Sequence, residues 1–261
     1  MNAADPATAA PRRTRTVVDL PAWGLGAVTL AGFVGRWHWL LDLTSHFRWY
    51  YLLAALVWYA ITSRRRSRLA TACLAIAVGI NAWSLVPYWM PSSGHVGDGD
   101  QLSIVSLNVR AENPDKQRTL DYLRDRNADV VVLLEIDDAW ATTLRDLESV
   151  YEHRVVTPQP GLFGIAVLSR VPLDTPRVVE PGGGSTTVIT GLARGKQGCL
   201  LMAAHPRAPV SAEWSARRDA QLAAMGELAA DETRPIIVAG DLNTTPWSHG
   251  FRALVKPRGL R

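Results

Sequence analysis

Five polar residues stand at or just beyond the ends of apolar runs. Asn108 lies in LSIVSLNVR, Glu135 in ADVVVLLEI and His205 closes QGCLLMAAH, while Asp241 and Asn243 follow PIIVAG. A glutamate, an asparagine and an aspartate supply hard oxygen ligands, the kind Mg2+ prefers where it bridges to phosphate. Active sites favour strand ends, because loops diverge there while the sheet holds their bases rigid. Asp241 and Asn243 are two positions apart, so on extended backbone they share a side and aim into one cleft. Each residue also has a plainer reading. Asn108 caps a turn, Glu135 caps a following helix, His205 before Pro206 is a satisfied loop histidine, and Asp241 with Asn243 forms an Asx turn. The plain readings must all hold independently at four strand ends, and that weighs against them together.

Other chemistries find no support. There is no His/Cys set with zinc spacing. GIAVLSR lacks the turn glycines of a nucleophile elbow, and PGGGS lacks the lysine of a phosphate-binding nucleotide loop and reads as a flexible turn. Cys73 in an apolar run and Cys199 in an expected strand read as small buried hydrophobes, too few for a disulfide scaffold.

The elements that must position these groups follow from periodicity. LSIVSLNVR, ADVVVLLEI and LFGIAVLSR read as buried strands, with Val155 and Val156 in a short strand before TPQPG. Pro176 to Val179 reads as an edge strand. TTVITGLAR and QGCLLMAAH read as a hairpin through Gly195, and PIIVAGDL as the last clear strand. Helices are expected from Pro114 or Asp115 to Arg126, over Ala139–Leu147, over Ser211–Ala230 with Trp214, Ala220, Leu222, Met225 and Leu228 among its apolar positions, and over Trp247–Val255. Strand–helix alternation followed by adjacent strands implies α/β architecture with mixed sheets and outer helices. A plain doubly wound sheet fits less well, because too many strands follow one another directly.

The first third differs. Three apolar segments, Leu20–Gly35, Trp49–Ser63 and Leu69–Gly94, are joined by a turn carrying Arg64, Arg65, Arg66 and Arg68. Seven of the ten tryptophans fall before residue 98, in keeping with membrane–water interfaces. Flanking residues extend the segments to spans at about 17–36, 43–63 and 69–91, with Arg36 and Arg48 snorkelling to headgroups. Core helices of a soluble domain, or an interfacial first segment, are the competing readings. Arg12, Arg13, Arg15 and the four-arginine turn place both clusters in the cytoplasm and the C-terminal domain outside. The organisation expected is a cytoplasmic tail (1–16), a membrane region (17–94), a linker (95–100) and a domain (101–261). Residues 1–97 carry nine arginines and three acids, and residues 98–261 nineteen basic and twenty-one acidic groups. The overall +4 is thus no signature of a basic nucleic-acid groove.

SLNVR, VVLLEI, GIAVLSR, AAHPRAP and VAGDLNTTPWS, in this order over residues 101–248, resemble the endonuclease/exonuclease/phosphatase superfamily. That superfamily includes pancreatic deoxyribonuclease-like nucleases, apurinic endonucleases, sphingomyelinases and inositol-phosphate phosphatases. The apolar segments in front look like a bacterial membrane-attached branch. The resemblance implies a four-layer sandwich of two mixed β-sheets flanked by helices. It also implies phosphoester hydrolysis supported by Mg2+, with Mn2+ the alternative ion. It makes Glu135 the main metal ligand and puts Asn108 beside the metal, where it helps orient water or phosphate. His205 becomes a donor to a phosphoryl oxygen, Asp241 the group that orients or activates water, and Asn243 a holder of the phosphate. The substrate would be a nucleic acid, a phospholipid headgroup or a small phosphoester, reached from the bilayer of a bacterial cell membrane; nothing in the sequence points to a protein partner. Members of the superfamily continue past GDLN to an Asp–His pair, whereas this sequence stops at KPRGLR with His249 in an unmatched SHG setting. The expectation is therefore an incomplete domain, catalytically impaired. A tethered phosphate-ligand or partner-binding module is the runner-up, and a structural remnant the third reading.

Overall fold

The computed structural model describes residues 12–62, 64–90, 101–193 and 198–257. The linker 95–100, the turn at Gly195 and the final residues from Arg258 lie outside the described residues, as does the leading tail up to Pro11. The chain divides into two compact units, residues 1–93 with 247–249 and residues 94–246 with 250–261.

In the first unit, α1 (Arg12–Ala31) runs into a 3-10 stretch at Gly32–Trp37, followed by α2 (Trp39–Ser45), α3 (Arg48–Thr62) and α4 (Arg68–Leu85). Ser67 caps α4 by accepting from the Ala70 N–H at 3.2 Å. Ala22, Ala55, Ala70 and Leu74 form the buried seam of α1, α3 and α4. Small residues let the backbones approach; a Cβ on Gly26 would collide with Cys73 Sγ. Large apolar side chains such as Trp23, Leu53 and Trp83 point outward. Among the described residues two helices are long and apolar enough to cross a membrane, Thr16–Trp37 with 22 residues and Arg68–Tyr88 with 21.

The expected span at 43–63 is not one helix. The chain turns between α2 and α3, and α3 has 15 residues, about 22 Å of rise against a hydrocarbon core of about 30 Å. The reason lies in its polar residues: Asp42, Ser45 and Arg48 are all buried inside the unit. Arg48 does not snorkel outward. Its Nη1 lies 3.4 Å from Asn81 Oδ1, and its guanidinium sits 4.6 Å from the centre of the Phe33 ring.

The second unit is a four-layer sandwich. One sheet holds β1 (Ile104–Asn108), β2 (Val130–Leu134), β3 (His153–Thr157) and β4 (Ile165–Ser169), in the order β1-β2-β4-β3. The other holds β5 (Leu173–Val179), β6 (Thr187–Leu192), β7 (Cys199–Ala204) and β8 (Ile236–Ala239), in that order. Each sheet contains one parallel pair, β1–β2 and β7–β8; the remaining pairs are antiparallel. The parallel pairs need crossovers, supplied by α5 (Lys116–Arg126) and α7 (Ala212–Ala230). The pleat explains the unbroken VVVLL of β2. Val130, Val132 and Leu134 face the second sheet, while Val131 and Leu133 face the layer of α5 and α6 (Asp138–Thr143). The outer face of the second sheet packs Ile189, Leu200 and Met202 against Leu222 and Met225 of α7 and Leu254 of α8 (His249–Val255).

The expected α/β sandwich is present; most strand ends are trimmed by one to three residues, whereas the edge strand expected at Pro176–Val179 begins at Leu173 and the short strand around Val155 and Val156 runs from His153 to Thr157. Two local expectations change. Ala220 and Leu228 of α7 are exposed, and its inward face carries Ser215, Arg218 and Gln221 among apolar residues. The PGGGS turn is not loose. A Cβ on Gly182 would meet the Ala220 carbonyl oxygen at 2.6 Å, and Ser185 N–H donates to Gln221 Oε1 at 2.9 Å.

Candidate functional site

β1 and β2 run parallel with Asn108 opposite Leu134, so Asn108 and Glu135 leave the first sheet at the same edge. Asn108 Nδ2 donates to Glu135 Oε1 at 2.7 Å, and Asn108 Oδ1 accepts from Arg110 N–H at 2.9 Å. Asn108 thus caps the turn after β1 and at the same time reaches the Glu135 carboxylate. Glu135 caps no helix; Asp137 does so for α6, accepting from the Trp140 N–H at 2.7 Å. Buried Trp140 returns an indole N–H bond to the Arg110 carbonyl at 3.0 Å, which pins the loop after β1.

Glu135 and Arg110 both have left-handed backbone, with φ of 64° and 57°. Asparagine tolerates that region, whereas glutamate and arginine do so at a cost of about 1–3 kcal/mol each. Such strain persists only where neighbours enforce it. Here the Ile136 N–H bonds to the Gly164 carbonyl and the Gln159 N–H to the Ile136 carbonyl, both at 3.0 Å.

The parallel pair of the second sheet places β7 and β8 ends side by side, with Ala203 opposite Ala239. His205 and Asp241 follow. His205 is buried, and its Nδ1 lies 3.0 Å from the Leu162 carbonyl. A carbonyl only accepts, so Nδ1 carries the proton; Nε2 is then an acceptor in the neutral ring and a donor in the imidazolium. Leu162 precedes β4 of the first sheet, which brings both sets of strand ends to one end of the sandwich. Asn243 N–H donates to Asp241 Oδ1 at 2.9 Å, and Asn243 Nδ2 to the Pro206 carbonyl at 2.9 Å.

The two-residue spacing of Asp241 and Asn243 does not work through strand alternation. β8 ends at Ala239, Gly240 has φ of 130° and Asn243 has φ of 48°. The Asx turn orients the pair instead. A side chain on Gly240 would overlap the Ala204 carbonyl oxygen, so only glycine lets β8 close up to β7 there.

A cavity of about 610 Å3 opens beside the first corner, lined by Asn108, Arg110, Glu112, Glu135, Asp137 and Leu162 among others. Three carboxylates face one guanidinium, so a phosphate anion entering alone meets repulsion. The oxygen-rich lining suits a hard cation. Among the described residues no three of His, Cys, Asp and Glu converge as a preformed cage. Glu135, the Asn108 amide oxygen and waters are the donor set on offer, and Mg2+ characteristically keeps several waters. Cys199, by contrast, is buried in the inter-sheet core and burial pushes its thiol up, in keeping with a structural hydrophobe.

Sequence reasoning missed the scaffold behind the second corner. Arg218 is almost fully buried, and its Nη1 donates to the Asn243 carbonyl at 3.1 Å while its Nε donates to Asp219 at 2.9 Å. Gln221 donates to the Ser185 carbonyl at 2.9 Å and to Thr187 Oγ1 at 3.0 Å, and Ser185 Oγ donates to the His205 carbonyl. Arg218 and Gln221 are three apart on one helical face. That spacing was a signal, hidden because both types usually face solvent.

A model of the Endonuclease/Exonuclease/phosphatase family matches residues 105–261. The chain belongs to this family. Comparison with curated proteins gives no match. Among solved structures, it is similar to truncated TDP2 of Caenorhabditis elegans, with 19% identity over 55% of this chain and 63% of that one, at a TM-score of 0.47. It is also similar to D. rerio TDP2 complexed with a single-strand DNA product, with 20% identity over 61% and 66% of the chains and a TM-score of 0.47. Sphingomyelinase C from Streptomyces griseocarneus shows 18% identity over 60% and 69%, with a TM-score of 0.46. The chain thus spans about three fifths of the length of the first of these.

Proposed function

We propose that the domain over residues 101–261 hydrolyses a phosphoester with the help of Mg2+ or Mn2+, and that residues 17–94 anchor it in a bacterial cell membrane. The observation that carries this reading is the 2.7 Å bond between Asn108 and a strained Glu135 on a carboxylate-rich cavity, in a member of this family. Glu135, with Asn108 beside it, would hold the cation, which would polarise the phosphoryl group and offset its charge. Asn108 fixes the Glu135 carboxylate. Asp241 has one oxygen engaged by the Asn243 N–H, and the other is left to orient the attacking water. His205, held through Nδ1, donates from Nε2 to a phosphoryl oxygen when the ring is protonated. Asn243 retains one amide hydrogen for the phosphate after its bond to Pro206.

The test is hydrolysis of bis(p-nitrophenyl) phosphate by the purified full chain, with Mg2+ or Mn2+ and with chelator. Turnover that needs the ion and disappears in Glu135→Ala supports the reading; turnover indifferent to both, or none in the wild type, sinks it. A second reading, a tethered phosphate-ligand domain with little turnover, is favoured by the engagement of Asp241 and Asn243 in their own turn. Ion-dependent phosphate binding with negligible hydrolysis would select it.

For topology we propose three crossings, with α2 and α3 together completing the middle one, the N-terminus in the cytoplasm and the domain outside. Without a middle crossing, Arg12–Arg15 and Arg64–Arg68 would lie on opposite sides, against the tendency of basic clusters to stay cytoplasmic. Protease added to intact spheroplasts should cleave after residue 97; protection of that region would refute this orientation.

A further inference from the structure

Arg207 lies two residues beyond His205, and its guanidinium is clamped between two rings. The guanidinium carbon is 4.5 Å from the centre of the Phe163 ring and 4.9 Å from that of Trp214. Phe163 meets Trp214 edge-on at 6.3 Å and is also 6.3 Å from the His205 ring. It is chain neighbour to Leu162, which lines the cavity and holds His205. The cation therefore stands one ring away from the proposed phosphoryl donor.

One of its donors is unspent. Arg207 Nε is buried and has no hydrogen-bond partner among the described residues. No carboxylate among the described residues pairs with the guanidinium; on α7, Glu213 pairs with Arg217 at 2.8 Å and Asp219 with Arg218 at 2.8 Å. A buried donor without an acceptor is costly. Stacking on two rings offsets part of that cost and holds the planar fork in one orientation. A pre-oriented guanidinium with an unsatisfied donor beside a phosphoester site matches the geometry that recognises a phosphate oxyanion.

We propose that Arg207 is a second anion subsite, taking the oxyanion of a phosphate that flanks the scissile one. The inference rests on the phosphoester reading of the neighbouring site. It assigns the substrate to compounds with at least two phosphates, whether along a nucleic-acid strand or on a polyphosphorylated headgroup. Phe163 and Trp214 act as the clamp and Arg207 as the contact.

The test measures equilibrium binding, not turnover. Tetrathymidylate and inositol trisphosphate are titrated against the full chain in detergent, with Ca2+ in place of Mg2+, over a series of salt concentrations. Arg207→Gln should weaken at least one probe by about tenfold, the effect of one lost charge-assisted contact. For tetrathymidylate it should also reduce the slope of log affinity against log salt by about 0.7, as for one phosphate contact on a single strand. Arg207→Lys should keep the slope and lose part of the affinity, which separates lost charge from lost folding. Response to tetrathymidylate alone identifies a nucleic-acid phosphate, and response to inositol trisphosphate alone a headgroup. If the same Arg207 dependence appears in Glu135→Ala, the subsite stands even where hydrolysis is absent. Unchanged affinity and slope in Arg207→Gln, or no binding of either probe by the wild type, overturns the proposal.

Discussion

The two corners that meet at one end of the sandwich are built on opposite plans. At the first sheet, Asn108 is exposed and Glu135 half-exposed, joined to each other on an open cavity, and the surroundings invest in holding an awkward backbone. At the second, His205 is buried and held by Ser185 at its carbonyl and by Leu162 at its ring, and Asn243 is half-buried and held at its carbonyl by Arg218 of α7. The first corner thus offers oxygens with few structural duties. The second offers donors whose placement is part of the fold. Substitutions at the first should remove chemistry without lowering stability, and substitutions at the second should lower both.

Glu135 gives the largest contrast. Glu135→Gly should lower hydrolysis of bis(p-nitrophenyl) phosphate by about 10³-fold, the upper range for loss of one preorganised electrostatic group. It should also raise the unfolding free energy by about 1 kcal/mol, because glycine relieves the left-handed backbone. A drop in stability on thermal unfolding would mean that the side chain supports the fold, and the contrast would fail. His205→Asn comes next. The amide can imitate Nδ1 toward the Leu162 carbonyl but has nothing at the Nε2 position. Activity should fall by about 10²-fold, with a folded protein by circular dichroism. Activity within a factor of two of wild type would remove His205 from the reaction.

How much of this was legible follows the same division. Asn108, Glu135, His205 and Asp241 were visible because each interrupts or ends an apolar strand, and an isolated polar group at the end of an unbroken apolar run is a strong signal. The layer order was visible for the same reason: VVVLL, IAVLS and CLLMAA are buried on both faces and need covering helices. Arg218 and Gln221 were hidden, since their three-residue spacing was the one sign that they share a face and both residue types usually face solvent. The orientation of Asp241 and Asn243 was misread because strand alternation was carried past Ala239, where Gly240 breaks it. In the first unit, apolar content marked the helices, but the inward turn of Asp42 and Arg48 depends on partners far along the chain, such as Asn81.

Arg218 probes that hidden scaffold. Arg218→Met keeps length and apolar packing but strands Asp219 and frees the Asn243 carbonyl. Breaking a fully buried pair costs roughly 3–5 kcal/mol. Asp219 is 30% exposed in its side chain, so about 2 kcal/mol is expected, together with roughly tenfold lower activity as Asn243 loosens. Arg218→Lys should rescue stability in part and activity little, because a point charge cannot serve both acceptors in the same fork geometry. Equal rescue of both by lysine would make Arg218 a mere charge partner.

The smallest effect serves as the control at the opposite end of β8. Glu232 accepts from Arg234 Nε at 3.1 Å and Nη2 at 2.8 Å, and from its N–H at 3.0 Å. These bonds, led by the side-chain pair, hold the Glu232 carboxyl down at about 2 against an ordinary 4.5. A carboxyl lowered in the folded state adds stability that is fully present above the unfolded value and fades as pH falls through the folded one. The wild type should therefore exceed Glu232→Gln in melting temperature at pH 6, by a few degrees at most for a partly screened pair. That gap should close between about pH 4.5 and pH 2. Because β8 runs from this pair toward Asp241, the same variant should leave hydrolysis at pH 7 unchanged. A pH-independent gap would mean that glutamine keeps the contacts of Glu232 without its charge. A loss of activity would mean that strain travels the length of β8, and the second corner would then answer to the whole strand and not to α7 alone.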